Sequence, residues 1–273
     1  MVLSNYTTIK IGGKVDRFFL VDSQKALDNA LDKCCGDFYL LGGGSNILAV
    51  DSSISKAVIK LTGEFDYIKI DGNTIEVGAG SMLSAVLNSC IRGNLSGLEN
   101  LSGIPATIGG LIATNASAFG KDISVHLKEV ELIDTDGKKC RIGKDGLSFS
   151  YRQSSLQGSI ILRAWFVLSF ENGIGKRVED FLKKRYQKQD FNSPSCGCIF
   201  KNPDDRCAGE LIDSCSLKGF SENDAQVSFR HANFIINLGH ATYNDVDRLI
   251  CEIKNIIKEK CGVVLQEEIE RWI

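Results

Sequence analysis

The chain has 273 residues, of which 43% are hydrophobic, and a formal net charge of -2. That length suits one large domain or two modest ones with ample core material, and the small charge excludes a global field that would recruit nucleic acid or an anionic membrane. No apolar run approaches the ~18 residues of a membrane span, and "MVLSNYTTIKIGG" lacks the basic head, apolar stretch and cleavage site of a leader, so the ten cysteines are expected to be reduced thiols of a cytoplasmic protein.

Strand signals dominate the first 170 residues. "DFYLL" runs into a glycine triplet, and "YIKIDGNTIEV" alternates on both sides of Asp-Gly-Asn, a hairpin signature. One helix interrupts: Leu83, Val86, Leu87, Cys90 and Ile91 share a face, with Ser81 as expected N-cap and Gly93 as expected C-cap. "VELIDTDGKKCRI" repeats the hairpin logic, and "IILRAWFVLSF" is long enough for a central strand. The pattern changes near 171–175, at "ENGIG". Beyond it, "GKRVEDFLKKRYQKQD" reads as a helix with Val178, Phe181 and Leu182 inward and a basic last turn that suits the negative end of its dipole. "RCAGELIDSCSLKG" reads as a short helix ending at Gly219, and "HANFIINL" as a strand. The clearest helix is "YNDVDRLICEIKNIIKEKCG", with Val246, Leu249, Ile250, Ile253 and Ile257 on one stripe. These elements predict an α+β architecture in two lobes with a cleft between them. Cys34, Cys90, Cys140, Cys251 and Cys261 sit in patterned segments and are expected to pack as small hydrophobes.

Two glycine-rich stretches carry the first chemical signal. In "LGGGSNIL", successive backbone N–H groups can converge on an anion such as a diphosphate, and Ser45 and Asn46 add side-chain donors. The stretch has neither the Walker lysine nor G-x-G-x-x-G spacing, and a tight turn explains it equally. "GLENLSGIPATIGGLIATNASAFG" is a second stretch of small residues, in which Pro105 fixes one φ angle. Together they fit an extended cofactor lying along the backbone. None of His126, His231 and His240 falls within them.

"SPSCGCIFKNP" carries the second signal, with Cys196 and Cys198 flanking one glycine. Taken alone, buried inert thiols are the simplest reading. Zinc comes second, since it would want two more ligands, and Cys207 and Cys215 are expected on the apolar face of a helix. A C-x-x-C redox motif is absent.

"LGGGSN", "GLENLSGIPATIGG", "NASAFG", "YRQS", "SCGCIFKNP", "AGELI", "AQVSFRHANFIIN" and "LQEEI" occur in this order. As an ordered set they resemble the UDP-N-acetylenolpyruvoylglucosamine reductase (MurB) family, in its shorter form, over nearly the whole chain. The resemblance implies a two-part FAD-binding lobe of the vanillyl-alcohol-oxidase (PCMH) type over 1–171, with subdomains of about 1–60 and 61–171. An α+β substrate lobe over 172–260 and a C-terminal segment, 261–273, returning to the active site would follow. It implies non-covalent FAD held by Gly42, Gly43, Gly44, Ser45, Asn46, Gly103, Ile104, Pro105, Ile108, Gly109, Gly110, Asn115, Ala118 and Gly120.

The implied reaction reduces an enolpyruvyl ether to a lactyl ether for peptidoglycan precursors, with NADPH and a UDP-sugar enolpyruvate as partners. Three tasks follow. Charge developing beside the substrate carboxylate needs a cation, and Arg152 matches the family's essential arginine. A carbon needs a proton; Cys198 stands where the family usually has its serine donor, and a thiol, with a reference pKa near ~8.5, is the stronger acid. Glu268 matches the family's C-terminal glutamate, chosen over Glu267 by register. Tyr151, Lys201, Asn202, Gln226, His231 and Asn233 are expected to contact or support the substrate, with Lys201 as a point charge for phosphate. Arg185 could face the diphosphate or solvent. Ser117, Phe119 and Asp190 depart from the family pattern and put loop geometry in question. Another FAD oxidoreductase on the same fold and a non-catalytic thiol-rich zinc protein are the alternatives.

Overall fold

Strand Ile160–Val167 has four residues at zero to four per cent exposure on its inner positions, because its partners cover it from both sides. It is the middle of a five-stranded antiparallel sheet with the order Lys139–Gly143, Leu127–Ile133, Ile160–Val167, Thr74–Gly78, Ile68–Asp71. Both expected hairpins are present, and Gly72, at φ +57°, makes the turn between Asp71 and Thr74. The computed structural model describes residues 1–203 and 206–273.

The chain divides into two compact units. One comprises Phe18–Gly43 and Lys56–Lys184; the other comprises Met1–Arg17, Gly44–Ser55 and Arg185–Ile273. The observed division thus falls at Arg185, rather than near 171–175, and assigns two N-terminal stretches to the same unit as the C-terminal third.

The first unit adds to its five-stranded sheet a parallel sheet in which Ala57–Leu61 lies between Phe18–Val21 and Phe38–Leu40. Helix α1 (Gln24–Cys34) makes the crossover that parallel strands require. Ser23 caps it by accepting from the Ala26 N–H, and Leu27, Ala30 and Cys34 are buried at i, i+3 and i+7. Helix α2 (Leu83–Gly93) follows the first hairpin, and the six-residue α3 (Ile108–Ala113) lies in the second glycine stretch. Helix α4 spans Ile174–Lys188, with Val178 packed on this unit's core. That core is one continuous apolar cluster running from Val21 to Leu168.

The second unit has a four-stranded antiparallel sheet in the order Ser195–Cys198, Phe234–Asn237, Ala225–Val227, Ser221–Glu222. Helix α5 (Ala208–Ser214) and helix α6 (Tyr243–Cys261) supply the rest of a separate core. All five residues of the expected α6 stripe are buried. Thr242 and Asp245 form a reciprocal capping box at its start, and Gly262 ends it at φ +69°. The last strand, Glu270–Trp272, pairs in parallel with Ile47–Ala49.

Several sequence expectations need correction. Three α-helices, not one, occupy the first 170 residues: α1 and α3 are additional, since α1 has only three fully buried residues in eleven and α3 is short. Ser81 does not cap α2; Met82 holds the N-cap position and the Ser81 hydroxyl donates to the Tyr67 carbonyl. Asn94, not Gly93, takes the left-handed C-cap. Helix α5 stops at Ser214 rather than Gly219, with Cys207 and Cys215 at its two ends, and Cys215 packs in the apolar core as expected while Cys207 is half-buried. Cys34 and Cys90 are buried as expected, but Cys140 and Cys261 are half-buried and Cys251 is exposed. No helix among the described residues is long and apolar enough to cross a membrane.

Candidate active site

The Cys-Gly-Cys stretch forms the edge strand of the second unit's sheet. Residues i and i+2 of a regular strand face the same side. Here the register shifts between Ser195 and Cys198, and Gly197 sits at φ +78°. The irregularity separates the two thiols. Cys196 enters the core at 1% exposure, where burial pushes its thiol up to about 12. Cys198 stays half-buried.

Both flanks of the chain after Cys198 are held by backbone. On one side the Ile199 N–H donates to the Asn233 carbonyl, and the buried Asn233 carboxamide clamps Phe200: its Oδ1 accepts the Phe200 N–H at 3.0 Å and its Nδ2 donates to the Phe200 carbonyl at 2.8 Å. On the other side runs the C-terminal segment. The Glu268 N–H donates to the Ile199 carbonyl and the Lys201 N–H to the Gln266 carbonyl, each at 2.8 Å. Asn46 joins by donating from Nδ2 to the Glu268 carbonyl at 3.1 Å. Residues 46, 198–201, 233 and 266–268, remote in sequence, thus meet within one unit.

The two adjacent glutamates are used differently. Glu267 accepts from Lys254 Nζ at 2.9 Å and from Arg271 Nε at 2.7 Å, and Arg271 also donates to Asp247 and to the Tyr243 hydroxyl. Burial pushes the Glu267 carboxyl up, but the bonds from Arg271 and Lys254 outweigh it and hold the group below its ordinary value. Glu267 is therefore committed to a structural ion network, whereas Glu268 is half-buried and bonded through its N–H to Ile199.

The other expected substrate contacts divide. The Lys201 side chain is half-buried. Asn202 accepts the Ala208 N–H at the start of α5, and Gln226 donates to the Gly219 carbonyl. His231 stacks on Phe234 with ring centroids 4.6 Å apart, and burial holds its imidazole below the ordinary value. Arg185 is buried rather than solvated, with Nη1 donating to Gln189 Oε1.

In the first unit the glycines bring two remote stretches into backbone contact. A Cβ on Gly43 would lie 2.4 Å from the Pro105 carbonyl oxygen, and one on Gly42 would lie 2.8 Å from Thr107 Oγ1. The N–H groups of Gly42 and Gly43 donate to no acceptor among the described residues. Ile108 contributes differently: its side chain is in the core and its N–H bonds the Ser81 carbonyl. Pro105 is exposed, and Gly103 and Gly120 adopt φ of +85° and +79°. Asn115 is 2% exposed and donates to the Ser150 carbonyl at 2.9 Å, tying its loop to the turn that carries Tyr151 and Arg152. Arg152 takes a left-handed φ of +57° and donates from Nη1 to the Ser117 hydroxyl at 2.9 Å. The serine that departs from the family pattern is thus a direct partner of this arginine.

Residues 15–143 match the family model described as "FAD binding domain", and residues 188–272 match that of the UDP-N-acetylenolpyruvoylglucosamine reductase C-terminal domain. A protein of that name from Caldanaerobacter subterraneus is 38% identical over 98% of this chain and 91% of its own length. One from Clostridium novyi is 34% identical over 98% and 90%. The chain belongs to the UDP-N-acetylenolpyruvoylglucosamine reductase family. The crystal structure of the MurB reductase from Thermus caldophilus superposes with a TM-score of 0.87 at 34% identity, covering 100% of this chain and 98% of that one. The PCMH-type flavin fold with a MurB C-terminal domain is thereby established for this member.

The first unit fits the FAD that this family binds. Its two glycine stretches meet without intervening side chains, and the Gly42 and Gly43 N–H groups have no acceptor among the described residues, which suits an anionic ligand group. Two supporting residues were missed in the sequence. Thr107 caps α3, a role its place before an apolar run could have signalled. Lys60, on strand Ala57–Leu61, donates to the Gly42 carbonyl at 2.7 Å, and no local motif marks it.

Proposed function

We propose that this chain reduces the enolpyruvyl ether of a UDP-N-acetylglucosamine derivative to the lactyl ether, consuming NADPH, in cytoplasmic synthesis of peptidoglycan precursors. FAD, when bound non-covalently, supplies the hydride chemistry. Gly42 and Gly43, with Gly44, Ser45 and Asn46 after them, are the backbone and side-chain donors for it, together with the 103–120 stretch.

The chain's own residues handle charge and protons. Arg152 holds the substrate carboxylate and stabilises the negative charge that develops next to it. Cys198 delivers a proton to the carbon beside that carboxylate, and Glu268 polarises the same end of the substrate. Lys201 provides a point charge for phosphate, with Tyr151, Asn202, Gln226 and His231 as further contacts or supports. Asn233 acts as a support, because both ends of its carboxamide are engaged by Phe200. The observation that carries the proton-delivery reading is the hydrogen bond from the Glu268 N–H to the Ile199 carbonyl, which sets residue 268 beside the chain that follows Cys198.

The test separates the two halves of turnover. Cys198→Ala should still bind FAD, with visible absorption near ~450 nm, and that absorption should still bleach with NADPH. Recovery of the colour on adding the UDP-sugar should be lost. Cys198→Ser should retain substantial turnover. Full turnover by the alanine variant would remove Cys198 from the role.

A further inference from the structure

We propose that the Lys60 ammonium is the counter-cation of the FAD diphosphate, a member of the cofactor site that lies outside the glycine motif. The proposal rests on the reading that the Gly42–Gly43 loop holds the cofactor's diphosphate, and deepens it.

Position comes first. Lys60 is on the middle strand of the parallel sheet, and Ile59 pairs with Leu40 and accepts the Leu41 N–H. The residue after Ile59 is therefore level with the start of the glycine loop. Its side chain is half-buried and reaches the loop, with Nζ 2.7 Å from the Gly42 carbonyl oxygen.

Charge comes second. An ammonium carries three donors, and the Gly42 carbonyl takes one. No carboxylate among the described residues pairs with Lys60 within ion-pair distance. Burial holds the ammonium below its ordinary value, outweighing the opposite pull of Asp66. A half-buried cation whose one partner is a neutral carbonyl is expensive unless an anion completes it.

The third point is what surrounds it. The Gly42 and Gly43 N–H groups near Lys60 donate to no acceptor among the described residues. The Gly42 carbonyl, which would repel an anion, is occupied by Lys60 itself. The loop therefore offers a cation and two amide donors with its nearby acceptor quenched. That set is built for a multiply charged oxyanion, and in this family the diphosphate is the part of the cofactor with that chemistry. Lys60 has two tasks at once: it fixes the Gly42 peptide plane and it supplies charge.

Those two tasks can be separated. Lys60→Gln keeps a donor for the Gly42 carbonyl and removes the charge; Lys60→Met removes both; Lys60→Arg keeps both in altered shape. FAD affinity would be measured by quenching of flavin fluorescence over a series of KCl concentrations, with thermal unfolding of each variant as a check on folding. The phosphorus NMR spectrum of bound FAD would be recorded in parallel. Lys60→Gln should bind FAD on the order of 10- to 100-fold more weakly than wild type at low salt, with a weaker salt dependence and a shifted diphosphate resonance. Lys60→Met should lose at least as much, and Lys60→Arg should stay within about 5-fold of wild type. Wild-type affinity, salt dependence and phosphorus spectrum in the glutamine variant would mean that Lys60 only braces Gly42, and would overturn the proposal. Wild-type protein that bound no FAD would instead overturn the cofactor reading beneath it.

Discussion

The two units hold their chain segments in opposite ways. In the first, two remote stretches meet because side chains are left out: Gly42 and Gly43 lie so close to Pro105 and Thr107 that no Cβ fits. In the second, the backbone is gripped from both flanks, as Asn233 and the C-terminal segment grip residues 199–201. A junction made of backbone tolerates no added atom. A clamped segment tolerates substitutions in proportion to the clamps they remove. That difference predicts how sharply each unit should respond to mutation.

The largest effect should come from Gly43→Ala. Its Cβ would meet the Pro105 carbonyl oxygen at 2.4 Å and Ala106 Cα at 2.9 Å, and both are backbone atoms that cannot rotate away. The overpacking should cost about 3 kcal/mol or more and separate the two stretches. The purified variant should be nearly colourless and melt early. Gly137→Ala, outside both glycine stretches, is the control. It sits at a left-handed φ, +79°, and nothing lies within 4 Å of an added Cβ. Conformational strain alone should cost about 1 kcal/mol and leave flavin bound. If the two variants lose flavin equally, close backbone contact is not what makes the first unit work.

Asn233→Ala tests the second unit. It strips the buried Phe200 N–H and carbonyl of their side-chain partner, and each unsatisfied group costs about 1–3 kcal/mol. Urea unfolding should show a loss near the middle of the combined range, about 4 kcal/mol. Cys198 should lose its fixed position, so the sugar-dependent recovery of flavin colour should slow more than bleaching by NADPH. Equal slowing of both would mean that Asn233 supports the whole unit and not the Cys198 stretch.

The same contrast explains what could be read from residues alone. The hairpin at Asp-Gly-Asn and the long α6 stripe each leave a local pattern, and both are present in the fold. The clamps were not legible, because Asn233 meets Phe200 across 33 positions and Asn46 meets Glu268 across 222. No periodicity encodes such pairs. Lys60 looked like an ordinary strand lysine, since its burial depends on the parallel neighbours of its strand. The different sides taken by Cys196 and Cys198 depended on a register shift, which two cysteines spaced for one face could not announce. Glu267 and Glu268 were told apart only by register in the sequence; Lys254 and Arg271 give that choice a physical basis.

That choice yields the smallest effect and the finest test. Burial raises the Glu267 carboxyl, yet Arg271 and Lys254 leave it below its ordinary value. A folded-state value below the unfolded one means that the stabilisation is complete above the unfolded value of about 4.3, and is lost as pH falls through the folded value. Glu267→Gln should therefore be less stable than wild type at neutral pH, by about 1 kcal/mol, since the network is partly open to solvent. The gap between the two proteins should close as the pH drops below about 4.3, because protonation strips wild type of the same contribution. Turnover at neutral pH should change little, since Glu267 faces Lys254 and Arg271. Glu268→Gln should instead show a large loss of sugar-dependent turnover. A stable Glu267→Gln protein without turnover would exchange the roles of the two carboxylates, and the C-terminal segment would then present its reactive group from the neighbouring position.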